Sequence, residues 1–185
     1  MNKEELRRYY LSVRKSLSEE FVRENSRIII QKLMETEEFD SAKSFHSYIS
    51  IKDYHEVETN RLLQHCIDNN LRLLVPRVKP KGEMEHVKLK SFDNLKLNSW
   101  GVPEPLSGDL ADPDDPDLIL VPMVAGDRQK NRLGYGKGYY DRFLAKTRGT
   151  KIGLLFNCQL HDRLLPVEDF DIQLDILITE SKIIR

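Results

Sequence analysis

Hydrophobic positions spaced three and four residues apart predict an amphipathic helix at the start of the chain. Four apolar side chains recur on one face of this helix: Leu6, Tyr10, Val13 and Leu17. Ser18 precedes Glu19 and Glu20, as an N-cap precedes acids in a first turn. We therefore expect a second helix from this point to about Met34.

A row of cations accompanies the first apolar face. At about 100° per residue, Lys3, Arg7 and Arg14 fall on a strip just beside it. The helix can therefore pack on the protein while it holds these cations at the edge of the contact.

Short apolar runs alternate with helical patterns along the rest of the chain. Runs of strand length cover residues 42–50, 71–76, 84–89, 117–121, 151–156 and 175–179, and helical patterns cover residues 60–69 and 139–147. This alternation predicts an α/β fold with a mostly parallel central sheet and helices on both faces. The expected architecture is a three-layer α/β/α, Rossmann-like single domain over residues 1–185. Residues 90–116, with four prolines, are expected to form a long irregular excursion.

Composition indicates an ordinary globular protein. Hydrophobic residues make up 39% and charged residues 32% of the chain, and the formal net charge is -1. This balance gives no reason to expect a nucleic acid or a membrane as a partner. Cys66 and Cys158 form no CxxC pair and are expected to be buried free thiols. The N-terminus has no apolar signal core, and free thiols suit a reducing compartment, so a cytoplasmic location is expected. The protein is also expected to be a monomer.

Three alternating glycines carry the chemistry that the pattern suggests. Gly134, Gly136 and Gly138 follow an apolar strand and directly precede a helix. Backbone N–H groups at such a helix start can bind an anion, and glycines allow a ligand to approach the backbone closely. From residue 127 to residue 142 there are five cations against two acids. The segment therefore has the properties of a polyphosphate site.

The segment matches neither of two common phosphate motifs. The chain has Gly138 after Lys137 where GxxxxGK[ST] needs serine or threonine, and the third glycine is misplaced for GxGxxG. A glycine-rich turn without a ligand is the alternative interpretation. Asp141, one turn into the helix, could hold Mg²⁺ beside a phosphate or could serve as a helix-dipole acid. Asp175 could add a second carboxylate, although a solvated residue at a strand end is the simpler interpretation.

The stretch from residue 132 to residue 141, RLGYGKGYYD, resembles the signature of the 5-formyltetrahydrofolate cyclo-ligase family, also called 5,10-methenyltetrahydrofolate synthetases. The likeness extends over nearly the whole chain, through weaker matches in the same order: Lys3…Leu6-Arg7, residues 56–59, residues 100–105, residues 118–122 and residues 169–175. Two positions depart from the family pattern. Met123 stands where the family commonly has glycine, and Gly126 stands near a common aromatic position.

The resemblance implies a reaction and its cofactors, ATP and Mg²⁺. ATP phosphorylates the formyl oxygen of 5-formyltetrahydrofolate, N10 attacks the iminium phosphate, and phosphate leaves to give 5,10-methenyltetrahydrofolate. Lys137 and Arg132 are the implied catalytic residues, and Asp141 and Asp175 the implied metal ligands. The implied ATP-binding residues are Lys3, Glu4, Glu5, Leu6, Arg7, Arg132, Leu133, Gly134, Tyr135, Gly136, Lys137, Gly138, Tyr139 and Tyr140.

Folate binding is implied for a second, overlapping set: Ile51, Glu56, Trp100, Tyr135, Gly136, Lys137, Gly138 and Tyr139. Several of these have simpler alternatives. Glu56 would bind the pterin edge, yet the spacing from Asp53 to Glu56 also fits a helix capping box. The two tyrosines and the tryptophan could be core residues. Lys3 and Arg7 could form a solvated basic face.

Two other functions compete with the enzyme. A non-catalytic member of the family would bind folate or nucleotide without turnover. A sugar-phosphate enzyme of related architecture rests only on an analogy of fold. The complete charged set implied by the resemblance favours the enzyme.

Overall fold

The computed structural model describes residues 1–79, 83–98 and 101–185. Within them the elements follow in this order: α1 (Lys3–Lys15), α2 (Glu19–Met34), α3 (Glu37–Ser41), β1 (Ser44–His46), α4 (Asn60–Asp68), β2 (Arg72–Val78), β3 (Met84–Lys88), β4 (Leu95–Leu97), β5 (Pro103–Pro105), β6 (Leu110–Ala111), β7 (Leu118–Val121), β8 (Ala125–Asp127), β9 (Arg132–Leu133), α5 (Tyr139–Leu144), β10 (Thr150–Leu154), β11 (Leu160–His161), β12 (Ile176–Ile178) and β13 (Ile183–Ile184). Single 3-10 turns cover Lys52–Tyr54, Phe92–Asn94 and Asn157–Gln159.

Both N-terminal helices begin at a side chain that accepts a backbone hydrogen bond. The Ser18 hydroxyl accepts from the Phe21 amide at 3.1 Å, so the predicted N-cap is confirmed. Asn2 and Glu5 exchange bonds of 2.9 and 2.8 Å in a capping box at the start of α1. Arg14 differs from its predicted place, because it is buried within the apolar face of α1 and not beside it.

The central sheet has eight strands in the order β13-β12-β10-β7-β1-β2-β3-β6. The four pairings that join β12, β10, β7, β1 and β2 are parallel, and the outer pairings are antiparallel. The fold is therefore mixed α/β with a large, mostly parallel central sheet. α1 packs apart from it, against a three-stranded sheet in the order β11-β8-β9.

Strand β7 shows why the sheet is covered on both faces. All four of its side chains are buried, as expected for a central parallel strand. Leu118 and Leu120 contribute to the apolar cluster that includes α2 and α4, whereas Ile119 and Val121 contribute to the cluster that includes α5. Burying each of these side chains fully stabilises the fold by about 1.5–3 kcal/mol.

Three predictions of local structure are corrected. Strand β1 covers only Ser44–His46 of the predicted run 42–50, because the chain turns away there to form a cavity wall. The described part of residues 90–116 is not irregular: β4 pairs with β5, and β6 extends the central sheet beside β3. Helix α5 ends at Leu144, three residues early.

The remaining expectations concern cysteines and membranes. Cys66 is a buried free thiol whose pKa is raised by burial to about 12, whereas Cys158 is exposed, so its predicted burial is wrong. In the described part of the chain, none of the helices combines the length and the apolar content that crossing a membrane requires.

Met123 and Gly126, the two departures from the family pattern, are accommodated by local packing. A Cβ atom on Gly153 would lie 2.1 Å from the terminal methyl carbon of Met123, so the methionine fills the space beside that glycine. A Cβ atom on Gly126 would lie 3.1 Å from Leu177, which leaves little room for a larger residue.

Two buried histidines lie on the α5 face of the sheet. The rings of His46 and His86 are 5.0 Å apart, and both contact Phe143. Within the described residues, neither ring nitrogen of His46 has a hydrogen-bond partner. Burial lowers the pKa of His86 from 6.5 to about 4, and burial followed by the neighbouring His86 places the pKa of His46 well below 6.5. Both rings are therefore neutral in the folded protein near neutral pH.

We expect the histidine pair to destabilise the protein in acid. In the unfolded chain both histidines bind protons below about pH 6.5, whereas in the folded chain they bind protons only at lower pH, because their pKa values are lowered. The free energy of unfolding therefore falls as the pH drops below about 6.5 towards the folded-state pKa values. His46→Leu should lose less stability than the wild type between about pH 7.5 and about pH 4.5 in urea unfolding. His65→Gln, at a half-buried position of α4, serves as the control. An unchanged pH dependence in His46→Leu would contradict the assignment.

Candidate functional site

A crevice opens where the parallel strands β1 and β7 end. β1 pairs with β2 on one side and with β7 on the other. The chain leaves β1 through α4 on one face and leaves β7 through α5 on the other face. Such a reversal creates a ligand-binding crevice at the carboxyl ends of the strands. Tyr48 and Ile49, after β1, and Pro122, after β7, line a cavity there.

The predicted glycine segment, residues 134–138, joins β9 to α5 at this crevice and is named here the glycine loop. Three guanidinium groups occupy the space that side chains on the loop would need: Arg132 beside Gly134, Arg7 beside Gly136 and Arg142 beside Gly138. At Gly136, a Cβ atom would lie 3.2 Å from Cζ of Arg7, and the φ of +88° independently favours glycine. The glycines therefore allow cations to pack on the backbone.

The glycine loop lies between two cavities and lines both. Six residues are shared by the two: Arg132, Gly134, Gly136, Lys137, Gly138 and Asp141. The loop therefore forms a common wall, and a group bound on one side can approach a group bound on the other.

The Glu56 cavity, on one side of the loop, has a volume of about 200 Å³. Its walls are mainly apolar, with Ile49, Ile51, Pro76, Val78, Met84 and Val102 among its lining residues. Glu56, Tyr135 and Tyr139 also line it, as predicted for the substrate set. Trp100, predicted to belong to the same set, lies outside the described residues.

Glu56 is held at the cavity wall from two sides. Its carboxylate accepts the Ile51 amide at 2.8 Å and the Tyr135 hydroxyl. Burial raises the pKa of Glu56, opposed by the positive charge of Arg14 and by those two hydrogen bonds. Glu56 does not complete the alternative capping box, because its partner is Ile51 and the next helix begins only at Asn60.

The cationic cavity lies on the other side of the loop. Its lining includes five cations, Lys3, Arg7, Arg132, Lys137 and Arg142, and three acids, Asp141, Glu168 and Asp171. Arg7 donates to the Gly134 carbonyl at 2.8 Å. The excess of positive charge, together with the loop backbone, suits a polyphosphate.

Two of the cations are paired with carboxylates in this cavity. Lys3 contacts Glu168 at 2.6 Å and Asp171 at 2.5 Å, and Arg132 pairs with Asp141. Burial lowers the pKa of Lys3, but the bonds and charges of Asp171 and Glu168 outweigh it, so the pKa is raised. Lys3 is therefore part of an ion-pair cluster, and the alternative interpretation as a solvated basic face does not apply to it.

Lys137 differs from Lys3 and Arg132. It is exposed, it lines both cavities, and no carboxylate of residues 1–79, 83–98 or 101–185 forms an ion pair with it. Its ammonium group is therefore available to a ligand from either side of the loop.

The residues predicted to bind ATP are only partly brought together at the cationic cavity. Leu6 is in the core, Glu5 caps α1, and Glu4 lines neither cavity, so the structure does not bring these three residues to the cationic cavity. Tyr135, Tyr139 and Tyr140 line the Glu56 cavity and not the cationic one. The members that do line the cationic cavity are Lys3, Arg7, Arg132, Leu133, Gly134, Gly136, Lys137 and Gly138.

Asp175 is separated from the other predicted metal ligand. Its carboxylate accepts the Lys151 amide at 2.7 Å, where β10 and β12 begin. Asp141 lies at the opposite edge, beyond the carboxyl end of β7. The prediction that these two carboxylates act together is wrong, and the structure brings Asp171 to the cationic cavity beside Asp141.

Sequence reasoning missed several residues of the site. Asp171, Glu168 and Phe170 reach it from a loop with no regular spacing relative to the glycines. The cationic strip predicted on α1 includes Arg14 but does not indicate that its guanidinium donates to the Tyr135 hydroxyl at 2.7 Å. The local excess of charge includes Arg142 but does not indicate its contact with Gly138. Helical periodicity could have indicated Arg14, because it lies seven residues, or two helical turns, after Arg7. Periodicity could not have indicated the loop residues, because a loop has no regular repeat.

The comparisons with known proteins agree on one family. The family model for 5-formyltetrahydrofolate cyclo-ligases matches residues 1–180. A probable 5-formyltetrahydrofolate cyclo-ligase of Schizosaccharomyces pombe is 29% identical, with 100% of this chain and 98% of that protein covered. A mitochondrial one of Arabidopsis thaliana is 33% identical over 94% of this chain and 73% of that protein.

A solved structure supports the same assignment through the fold. The 5,10-methenyltetrahydrofolate synthetase of Aquifex aeolicus superposes with a TM-score of 0.88 at 37% identity, covering 100% of this chain and 93% of that one. With a family model matched over nearly the whole chain, this protein belongs to the 5-formyltetrahydrofolate cyclo-ligase family and is a cyclo-ligase enzyme.

Proposed function

We propose that this enzyme converts 5-formyltetrahydrofolate to 5,10-methenyltetrahydrofolate with ATP and Mg²⁺, through a phosphorylated formyl group. The observation that carries the proposal is the glycine loop, which is the common wall of an apolar and a cationic cavity. Transfer of a phosphoryl group between two bound molecules needs this arrangement, because the reacting atoms must meet in line while their charges are neutralised.

The Glu56 cavity is proposed to bind the folate. Its apolar walls suit a flat ring system, and each carboxylate oxygen of Glu56 already accepts one hydrogen bond. An ionised carboxylate has about four acceptor positions, so two remain for neighbouring N–H groups of a pterin edge. Glu56 would then orient the substrate, with its formyl group toward the glycine loop.

The cationic cavity is proposed to bind the phosphates of ATP. Amides of the loop and the cations Arg7, Lys137 and Arg132 would contact phosphate oxygens. The buried Nε of Arg132 has no hydrogen-bond partner among the described residues, which supports a ligand at this position.

The carboxylates of the cationic cavity fit a magnesium ion. Mg²⁺ commonly binds one or two carboxylates together with phosphate oxygens, and Asp141 and Asp171 both line this cavity. The bound metal would neutralise charge on the phosphates. Asp141 and Asp171 are paired with Arg132 and Lys3, so a metal–phosphate complex offers each member of both ion pairs a new partner.

The chain would then act mainly by positioning. The formyl oxygen takes the terminal phosphoryl group and ADP leaves. N10 then attacks the activated carbon and loses its proton to solvent, and the carbon–oxygen bond breaks to release phosphate. Lys137 and Arg132 would hold the moving phosphoryl group from both sides of the wall. The predicted monomeric state remains a proposal. The predicted cytoplasmic location and the Rossmann-like three-layer description remain proposals.

We expect Lys137→Ala to reduce turnover at least about 100-fold, because it removes the cation available to both cavities. The assay is formation of methenyltetrahydrofolate from 5-formyltetrahydrofolate and MgATP, followed by its near-ultraviolet absorbance. Lys43→Ala, an exposed lysine at the other edge of the sheet, is the matched control. If the wild-type enzyme forms no product but binds both ligands in calorimetry, the non-catalytic alternative is favoured.

We expect Asp171→Asn and Asp141→Asn to raise the Mg²⁺ concentration for half-maximal activity at least about tenfold. Asp175→Asn makes the same chemical change at the opposite edge of the sheet and should leave this concentration unaltered. Activity measured against free Mg²⁺ distinguishes the three variants. A larger effect of Asp175→Asn than of Asp171→Asn would overturn the proposed metal site.

A further inference from the structure

Arg14, in the last turn of α1, is a buried cation whose contacts lead to the substrate cavity. The residue is 2% exposed. Its guanidinium donates to the Met123 carbonyl at 3.2 Å and to the Tyr135 hydroxyl at 2.7 Å, and it lies 5.5 Å from the centre of the Tyr135 ring. No carboxylate among the described residues forms an ion pair with it.

Burying a guanidinium group without an ion pair costs several kcal/mol, so the fold keeps Arg14 here against a penalty. A leucine or methionine on this helix face would fill the space without that penalty. The Nε of Arg14 has no hydrogen-bond partner in the described part of the chain, so its contacts do not satisfy the whole group. Packing alone therefore does not account for this residue.

The Tyr135 hydroxyl connects the charge to Glu56. It accepts from Arg14 and donates to the Glu56 carboxylate, so three groups form one chain of hydrogen bonds from cation to anion. A hydroxyl that accepts from a cation becomes a stronger donor, and the effect is large where the surroundings are apolar. Glu56 and Arg14 are therefore a buried charge pair separated by one hydroxyl.

We infer that Arg14 is a positioning residue that acts through Tyr135 to hold the Glu56 carboxylate in its charged form and in place for the folate. The inference rests on the proposed function, in which Glu56 accepts N–H groups of the pterin. An ionised carboxylate accepts from both N–H groups, whereas a protonated one would turn a donor toward one of them.

The groups that face Glu56 support this role. They come from four parts of the fold: Arg14 in α1, Tyr48 after β1, Tyr135 in the glycine loop and Tyr140 in α5. Burial raises the pKa of each of the three tyrosines, so they remain neutral. Arg132 and Lys137 also line the Glu56 cavity, but Arg14 is the cation whose charge lowers the pKa of Glu56. Burial raises the pKa of Glu56 and the charge of Arg14 lowers it, so removing Arg14 should raise this pKa further.

The same helix serves both cavities. Lys3 and Arg7, near its start, line the cationic cavity, while Arg14 supports the Glu56 cavity. At 1.5 Å per residue, Lys3 and Arg14 are about 16 Å apart along the axis. Helix α1 therefore contributes separate cations to the two sides of the glycine loop.

The experiment compares Arg14→Met, which removes the charge, with Arg14→Lys, which retains it, and with Lys15→Met, which removes an exposed charge next to it. For Arg14→Met we expect the KM for 5-formyltetrahydrofolate to rise about tenfold, with little change in the KM for ATP. The acid limb of kcat/KM for the folate should move to higher pH. In Arg14→Lys the acid limb should lie close to its wild-type pH, and the profile of Lys15→Met should resemble that of the wild type.

Tyr135→Phe provides a second route if Arg14→Met does not fold. It removes the bridging hydroxyl and retains the ring, so the acid limb should move in the same direction. In a Glu56→Gln background, Tyr135→Phe and, where it folds, Arg14→Met should produce no further change of the acid limb.

A direct titration separates this inference from the proposed function. The carboxyl carbon of Glu56, labelled with ¹³C and assigned through Glu56→Gln, can be followed by NMR without any substrate. Its titration should move to higher pH in Arg14→Met or Tyr135→Phe. An unmoved titration overturns the inference even in an active enzyme. A moved titration in a protein without cyclo-ligase activity supports the link from Arg14 to Glu56 while the proposed function fails.

Discussion

The packing of three guanidinium groups on the three glycines of one loop is the interaction on which the site depends. Like charges at such short range repel, and the glycine loop contributes backbone carbonyl groups that offset this. Arg7 donates to the Gly134 carbonyl at 2.8 Å, and Arg142 donates to the Lys137 carbonyl at 2.9 Å. Because these carbonyls are bound by cations, the loop backbone is fixed in position before any ligand arrives.

This fixed wall explains why the two cavities differ so strongly in character. The cations approach the loop from the α1 side, where Glu168 and Asp171 balance part of their charge. The other side faces the ends of β1 and β2, whose apolar side chains line a cavity suited to rings. One short loop thereby separates a highly charged site from an apolar one. In the apolar cavity, the effect of burial on the pKa of Glu56 is opposed by the charge of Arg14 and by the hydrogen bonds from Tyr135 and Ile51.

The sequence predicted those features that depend on neighbouring residues. The cap of α2, the apolar run of β7 and the glycine loop are local patterns, and each lies where the sequence placed it. The contacts that complete the site join distant residues. Tyr135 meets Glu56 across 79 positions, and Lys3 meets Asp171 across 168. No periodicity extends over such distances, so only the fold reveals these pairs.

Asp175 shows that the sheet topology could have corrected one prediction, the assignment of this residue as a metal ligand. Asp175 begins the last parallel strand, and the beginnings of parallel strands lie at the edge of the sheet opposite their ligand-binding ends. A residue that starts a strand is therefore a poor candidate to meet a group at the start of α5. Asp171 is free of this constraint, since its loop lies outside the sheet and can return to α1. The direction of a strand thus limits which acids can share a metal, even before any side chain is placed.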